Sequence, residues 1–152
     1  MIEVSFRRAD ARDLAAVVAL LADDPLGRER EDPCLPLDTR YLAAFAAINA
    51  DPNQLLVVAV AKGRVAGTLH LTFIPGLARL GAWRGQVEAV RIASDHRSAG
   101  LGTRMLEWAV AECRRRDCCL VQLTTDKGRP DAHRFYEQLG FVPSHVGYKL
   151  AL

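Results

Sequence analysis

The sequence predicts a single α+β domain, and three observations lead to that prediction. The chain has 152 residues, of which 50% are hydrophobic and 25% charged, a composition that suits one folded domain. Short apolar runs of strand length alternate along the chain with segments of helical periodicity. Two of those runs are joined across Lys62 and Gly63, which predicts an antiparallel hairpin. We therefore expect one domain over residues 1–152, with helices packed on a sheet.

The first half of the chain is expected to form a strand, two helices and the hairpin. Apolar and polar residues alternate from Ile2 onward, as in a half-buried strand. Asp10 is a predicted helix N-cap, and apolar residues at helical spacing follow it. The predicted elements are a strand over 2–7, a helix over 10–21, an irregular Pro-rich segment over 23–38, a helix over 41–48, and hairpin strands over 55–61 and 65–74.

The second half is expected to add two strands, two helices and a C-terminal strand pair or hairpin. Three arginines at 114–116 suit the negative end of the long helix dipole. Pro130 opens the second helix, and Gly140 closes it. The predicted bounds are 75–85 for a Gly-rich loop, 87–93 for a strand, 101–116 for the long helix, 118–124 for a strand, 130–139 for a helix and 141–150 for the final strand pair.

Charge and hydropathy exclude several kinds of partner. Twenty basic against 18 acidic residues give a net charge of +2, so no global field attracts nucleic acid or a membrane surface. No apolar run approaches the roughly 20 residues that cross a bilayer, and the alternating start does not resemble a signal peptide. We therefore expect a cytoplasmic protein. The arginines at 114–116 lack interleaved aromatic residues, which favours a solvated helix end over a nucleic-acid site.

The cysteines indicate reduced thiols rather than a metal site. They form no Cys-x-x-Cys pair, and no histidine stands at ligand spacing from them. Free cysteine behaves as a small hydrophobic residue, so we expect most of these thiols to be buried. The four residues are Cys34, Cys113, Cys118 and Cys119.

The most informative segment, residues 87–102, reads as a strand, a turn with two glycines and the start of a helix. Backbone N–H groups converge at such a helix N-terminus, where the dipole favours an anion. The first helical turn has no carboxylate, and Arg97 and Arg104 add positive charge. Met105 stands where a dinucleotide G-x-G-x-x-G motif needs its third glycine, and no P-loop sequence follows. The segment therefore predicts a local phosphate site of another kind.

Two motifs in this part of the chain resemble the GNAT superfamily of acyl-CoA-dependent N-acyltransferases. The first is Arg97-x-x-Gly100-x-Gly102 after a strand, and the second is Ala-x-x-Phe-Tyr-x-x-x-Gly-Phe, from Ala132 to Phe141. The resemblance is specific over 87–141 and architectural before it. It implies a mixed, mostly antiparallel central sheet flanked by helices, with acetyl-CoA or a related acyl-CoA as donor and no metal.

The resemblance also implies where the cofactor binds. Pantetheine would pair with the strand backbone at Val90, Arg91 and Ile92. Many family members carry Asn seven residues before the motif Tyr, where this chain has Arg129, a cation that could bind a cofactor phosphate or an acidic acceptor. The residues that would hold the pyrophosphate are Arg97, Ser98, Ala99, Gly100, Leu101, Gly102 and Thr103.

Transfer to an amine requires a base for the ammonium and an acid for the departing thiolate. Glu88 is the predicted base, and period-2 alternation places it on the face of Val90 and Ile92. The alternative for Glu88 is a solvated or salt-bridged strand residue. By resemblance Tyr136 is the predicted acid, with a buried structural tyrosine as the alternative.

The leading hypothesis is direct transfer of an acetyl group, in a ternary complex, to a primary amine of a small molecule or peptide. No cysteine lies in the site segments, which disfavours a covalent acyl-enzyme. A non-catalytic acyl-CoA-binding sensor or regulatory module is the alternative, and a nucleic-acid-binding regulator is a third hypothesis. Trp83 and the apolar run 146–152 predict exposed apolar surface and hence a homodimer.

Overall fold

Five strands form one sheet in a computed structural model that describes residues 3–152. Ile2, where the first predicted strand begins, lies outside the described residues. The sheet order is the chain order, with antiparallel neighbours except for the parallel last pair. The strands are β1 (Val4–Arg8), β2 (Gln54–Ala61), β3 (Arg64–Pro75), β4 (Trp83–Ile92) and β5 (Cys118–Leu123). This architecture confirms the predicted α+β fold with a mostly antiparallel sheet.

Helices cover both faces of the sheet. Helices α1 and α3 pack on one face, where Val17 and Phe45 meet Leu56 and Val58 of β2. Helices α5 and α6 cover the other face and its larger core. None of the helices in the described part of the chain is long and apolar enough to cross a membrane. The helices of residues 3–152 are α1 (Leu14–Ala22), α2 (Gly27–Arg30), α3 (Thr39–Ala50), α4 (Ala78–Gly81), α5 (Leu101–Arg115) and α6 (Pro130–Gln138).

The predicted hairpin and helix cap are both confirmed. Lys62 and Gly63 have φ of +49° and +74°, the left-handed pair that a tight hairpin turn needs to match strand twist. The Asp10 side chain caps the helical turn that precedes α1, and the Asp13 carboxylate accepts from the Asp10 backbone in return. These local signals therefore determine the β2–β3 turn and the start of the first helical segment.

The predicted loop over 75–85 is confirmed over 76–82 but wrong at its ends, which belong to strands. Strand β3 ends at Pro75, and β4 begins at Trp83 rather than at 87. The short α4 between them is irregular, because Arg79 and Leu80 have positive φ values. Gly85 lies within β4, and the position requires glycine because a Cβ there would collide with the Cys113 sulfur of α5. The glycine thus marks a close approach of helix to strand and not a turn.

The predicted strand pair over 141–150 is also wrong. Residues 141–152 contain no strand, although Phe141 still packs against the core. The alternating sequence shows which side chains would share a face, but a strand also needs a neighbouring strand with which to form backbone hydrogen bonds. Within residues 3–152 no strand pairs with this segment.

Candidate active site

Strands β4 and β5 separate inside the sheet and leave an opening. They pair only where Trp83–Val87 faces Cys118–Leu123. Beyond Val87, β4 continues to Ile92 with no β5 partner among the described residues. Its free edge offers backbone hydrogen-bonding groups to a ligand that enters the opening. All three residues predicted to contact pantetheine, Val90, Arg91 and Ile92, lie on this stretch.

A β-bulge interrupts β4 at the start of the free stretch. His70 pairs with Glu88 and Thr68 with Arg91, so two β4 residues stand opposite the single β3 residue between those pairs. Ala89, in the bulge, has a φ of +52°. The extra residue reverses which side chains face each side of the sheet beyond this point.

The prediction that Glu88 shares a face of the sheet with Val90 and Ile92 is therefore wrong. Glu88 lies on the side of its partner His70 and of helix α1, and Arg91 joins it there. Val90 and Ile92 instead pack against the core on the opposite side, with α5. Simple alternation failed because it assumes an unbroken period of two.

The turn between β4 and α5 forms an open helix N-terminus. Gly100 is the N-cap with a φ of +77°, and in the described chain no side chain caps this helix and no acid lies in its first turn. The first N–H groups of a helix lack intrahelical acceptors, so those of Leu101, Gly102 and Thr103 point out of the helix end. Together with the dipole of a 15-residue helix, they form an anion site.

The Arg97 side chain does not add free charge to this site, contrary to prediction. Its guanidinium donates to the Ile92 carbonyl at 3.0 Å and to the Asp23 carboxylate at 2.9 Å. It also donates to the Asp23 carbonyl at 3.0 Å. Arg97 therefore ties the turn after α1 to the end of β4, while the backbone contact of Arg97 with pyrophosphate stays a prediction.

Helix α6 packs tightly against the start of α5. A Cβ at Gly102 would lie 3.3 Å from Cζ of Phe135 and 3.7 Å from Cγ1 of Ile92, so only glycine allows this approach without a shift. The Tyr136 ring lies edge-on to Phe135, with a centroid distance of 5.2 Å, and 5.9 Å from Phe141. The two sequence motifs thus meet in space through the Gly102–Phe135 contact.

Tyr136 is partly buried and lies beside two cations. Burial raises the pKa of the Tyr136 phenol, and the charges of Arg129 and Arg91 oppose that rise. With its pKa above 10, the phenol is protonated at neutral pH. It is therefore available as a proton donor.

One carboxylate serves both of those cations. Oδ2 of Asp24 lies 3.0 Å from Nε of Arg91 and 4.0 Å from Nη1 of Arg129. Burial raises the pKa of Asp24, but the Gly27 amide and the two guanidiniums outweigh it and lower the pKa overall. The ionised Asp24 leaves this cluster of three side chains with one positive charge in excess. Sequence reasoning found both arginines and missed Asp24, because only the packing of α1 near β4 brings it there.

A cavity of about 150 Å³ adjoins the face of Glu88. Helices α1 and α3 and the sheet form its walls, which are mostly apolar, and Ala89 of the bulge lines it. The partly buried His70 also lines the cavity, with Nε2 at 2.6 Å from Oε1 of Gln54. Burial lowers the pKa of His70 while Glu88 opposes the effect, so the imidazole is neutral at pH 7. The sequence signal for His70 was a polar residue inside an apolar strand.

The cysteines are divided between the core, where Cys113 interacts with Cys118, and the surface. Cys113 is buried, and burial raises its pKa to about 12, whereas Cys34 and Cys119 are exposed. The expectation of mostly buried thiols is therefore wrong for two of the four. Within the described residues no cluster of His, Cys, Asp or Glu is placed to hold a metal ion.

The sequence is similar to known acetyltransferases. The profile of the acetyltransferase (GNAT) family matches residues 15–141. The aminoalkylphosphonate N-acetyltransferase of Salmonella typhimurium is 34% identical over 110 residues, which are 71% of this chain and 70% of that protein.

Solved structures share the fold over nearly the whole chain. A transcriptional regulator from Bacillus halodurans is 46% identical, with a TM-score of 0.96 over 99% of this chain and 100% of that chain. An acetyltransferase from Trypanosoma brucei is 26% identical, with a TM-score of 0.80 over 99% of this chain and 100% of its own. The likeness includes the first half of the chain, where the sequence motifs were least specific.

Proposed function

The chain belongs to the acetyltransferase (GNAT) family and is an N-acetyltransferase, and we propose that it moves the acetyl group of acetyl-CoA directly to a primary amine of a small molecule. One observation carries the proposal. The free edge of β4 and the open N-terminus of α5 meet at one opening in the sheet, and the contact of Gly102 with Phe135 brings the neighbouring Tyr136 close to it. A thioester in that opening would lie between an anion site for its phosphates and a proton donor for its sulfur.

The chemistry of the opening fits acetyl-CoA. The N–H groups from Leu101 to Thr103 would hold the pyrophosphate, as an uncapped helix end holds anions. A Cβ at Gly100 would meet nothing within 4 Å, so the space in front of the turn is open to a ligand. Pantetheine amides would pair with the free edge of β4 near Val90 and Ile92, whose carbonyls each accept one hydrogen bond from an arginine side chain and keep a second lone pair. The donor supplies the activated acetyl group, and the chain positions it.

Glu88 is the proposed base for the acceptor. Its side chain is exposed on the face that carries His70 and the adjoining cavity, so an ammonium can reach it from solvent. An ammonium has no lone pair, and a carboxylate that removes its proton produces the nucleophile. The neutral His70 adds no positive charge beside Glu88.

Tyr136 is the proposed acid for the leaving sulfur. A phenol and a thiol have pKa values within about two units of each other, so the proton moves to the departing thiolate without a large mismatch. The excess positive charge of Arg91 and Arg129 stabilises negative charge as it develops nearby.

The same excess charge favours an acceptor that carries an acidic group. The Salmonella relative is named for aminoalkylphosphonates, which combine an amine with an anion. Among residues 3–152, Asp24 is the one carboxylate that forms an ion pair with Arg129, and Arg91 shares it, so Arg129 can bind a second anion. We therefore place small anionic amines first among the acceptors. The homodimer and the cytoplasmic location stay predictions.

A matched acceptor pair tests this proposal. Free thiol and acetylated product are measured with acetyl-CoA and either 2-aminoethylphosphonate or ethylamine, which lacks the anion. We expect kcat/KM to be roughly tenfold or more higher for the phosphonate, the size of one charge-assisted hydrogen bond. Arg129→Ala should remove that preference, and the exposed Arg114→Ala should keep it. Equal values for the pair would overturn the acceptor class, and no thiol release with any amine in a wider panel would overturn transfer to small amines.

A further inference from the structure

His70 lies directly opposite the proposed base. It pairs with Glu88 across β3 and β4, and the side chains of such partners share a face of the sheet, with Cβ atoms roughly 5 Å apart. Leu56 of β2 is its partner on the other side, so the imidazole lies in the middle of the face that carries the cavity. An amine that reaches Glu88 from the cavity is therefore also close to the imidazole.

An amide oxygen determines which ring nitrogen of His70 carries the proton. Oε1 of Gln54 accepts from the Thr72 hydroxyl at 3.1 Å and lies 2.6 Å from Nε2 of His70. An amide oxygen can only accept a hydrogen bond, so Nε2 is the donor and carries the proton of the neutral ring. The lone pair of the imidazole is therefore on Nδ1.

This lone pair has no partner in the wall of the cavity. The other polar side chains that line the cavity are bonded, since the Thr68 hydroxyl donates to the Val57 carbonyl at 2.9 Å and the Tyr41 hydroxyl to the Glu31 carboxylate at 2.7 Å. Within the described chain, Nδ1 of His70 makes no hydrogen bond. A half-buried acceptor of this kind costs free energy unless a ligand or water donates to it.

We propose that Nδ1 of His70 accepts a hydrogen bond from the acceptor amine and, together with Glu88, directs the nitrogen lone pair toward the thioester. The inference rests on the proposed function, because it adds a second contact to the same acceptor. The fixed proton on Nε2 makes the contact selective for a donor such as an amine N–H.

A primary ammonium has enough protons for both contacts. Glu88 removes one proton, which leaves a lone pair and two N–H groups, and one of these donates to Nδ1 of His70. The lone pair forms the C–N bond, and the electron pair of the C–S bond leaves with the sulfur, which takes the proton of Tyr136. The nitrogen keeps one proton in the amide and releases the other to solvent, from which the phenol is restored. His70 itself takes no proton in these steps.

Two substitutions separate this role of His70 from a structural one. The side-chain amide of Asn reaches as far as Nδ1, and that of Gln reaches as far as Nε2. His70→Asn therefore keeps an acceptor for the amine and loses the contact with Gln54, whereas His70→Gln does the reverse. We expect kcat/KM for 2-aminoethylphosphonate to fall roughly tenfold in His70→Gln, the size of one hydrogen bond, and to stay within a few fold in His70→Asn.

The control for these kinetics is His145→Gln, the same substitution at an exposed histidine, which should keep the parental kcat/KM. A purely structural His70 predicts the opposite order of the two variants, because the contact with Gln54 would then be the one that matters. The opposite order, or equal values for His70→Asn and His70→Gln, would overturn the proposal.

Nitrogen NMR of the histidine rings tests the contact without acetyl transfer. The Nδ1 resonance of His70, assigned by its loss in His70→Asn, should be that of an unprotonated nitrogen in the free chain at pH 7. It should move toward the protonated position when 2-aminoethylphosphonate is added in the presence of free CoA. A ring that carries its proton on Nδ1, or an Nδ1 resonance that saturating amine does not move, would overturn the proposal.

The two measurements together distinguish failure of this contact from failure of the proposed function. A parent chain whose Nδ1 resonance moves but that releases no thiol has the contact and refutes transfer to this amine. A parent chain that releases thiol while the Nδ1 resonance of His70 stays fixed refutes the contact alone.

Discussion

The side chains of Glu88 and Arg91 share one face of the sheet because a single extra residue is inserted between them. The bulge at Ala89 shifts β4 by one position, so Arg91 rather than Val90 follows Glu88 on the acceptor side. Val90 and Ile92 turn into the core instead. One left-handed residue thus brings a carboxylate and a guanidinium to the same side of the opening.

Replacement of Glu88 by Gln should lower turnover roughly 10²-fold, because the amide keeps the shape but cannot accept the ammonium proton. Acetyl-CoA affinity should stay within a few fold, since the cofactor contacts lie on the backbone. Steady-state kinetics with a saturating amine measures the change. Glu107→Gln, the same substitution at an exposed position of α5, is the control and should have parental turnover. Parental turnover in Glu88→Gln would exclude Glu88 as the base.

Replacement of Tyr136 by Phe should also lower turnover by roughly 10²-fold, while the ring contacts with Phe135 and Phe141 are kept. The lost interaction strengthens only in the transition state, so kcat should fall and acetyl-CoA binding should change little. Tyr148→Phe removes a hydroxyl from an exposed ring and serves as the control. A lower melting temperature and weaker cofactor binding with normal kcat would show instead that Tyr136 is structural.

Among the elements, the turn into α5 and helix α6 form the site together. The close approach at Gly102 seats Phe135 against the start of α5, which brings Tyr136 near the anion site. The ion pair of Asp23 with Arg97 joins the turn after α1 to the turn between β4 and α5. The ion pair of Asp24 with Arg91 joins the same turn after α1 to β4 itself. Short, direct contacts therefore link the side of the opening that would hold acetyl-CoA to the side that would hold the acceptor amine.

Gly100→Asp should weaken acetyl-CoA binding roughly tenfold or more, because it places a negative charge at a helix N-terminus that holds phosphates. The matched Gly100→Asn has nearly the same shape and also tolerates a positive φ, so it should bind within a few fold of the parent. Titration calorimetry measures both affinities. Equal binding by the Asp and Asn variants would place the pyrophosphate elsewhere.

Elements with strong local signals were predictable from sequence, and those set by contacts were not. The turn at Lys62–Gly63 and the cap at Asp10 follow from backbone preferences of a few neighbouring residues. Gly85 looked like part of a loop because the Cys113 side chain that requires it is distant in sequence. No local sequence pattern marks Asp24 or the bulge at Ala89 either. Their contribution to the side of the site that would hold the amine could therefore be known only from the fold.

At the scale of the whole molecule, the two sequence motifs come together near the end of the chain. Phe141 closes the second motif, its ring packs on Tyr136, and its amide donates to the Tyr136 carbonyl at 3.1 Å. The residue types of both motifs could be recognised from the sequence. The contacts that join the motifs depend on how α6 packs against α5 and β4, which the sequence does not show.

The fate of a labelled acetyl group tests direct transfer to a small amine more directly than any other measurement. The chain is mixed with isotopically labelled acetyl-CoA, first alone and then with 2-aminoethylphosphonate, and the label is followed by mass spectrometry of the intact protein and of the amine. Direct transfer from the opening between β4 and β5 predicts label on the amine nitrogen, none on the protein, and one free CoA thiol per product. Label on a cysteine such as the exposed Cys34, or acetyl-CoA that binds and is never consumed with any amine, would contradict it.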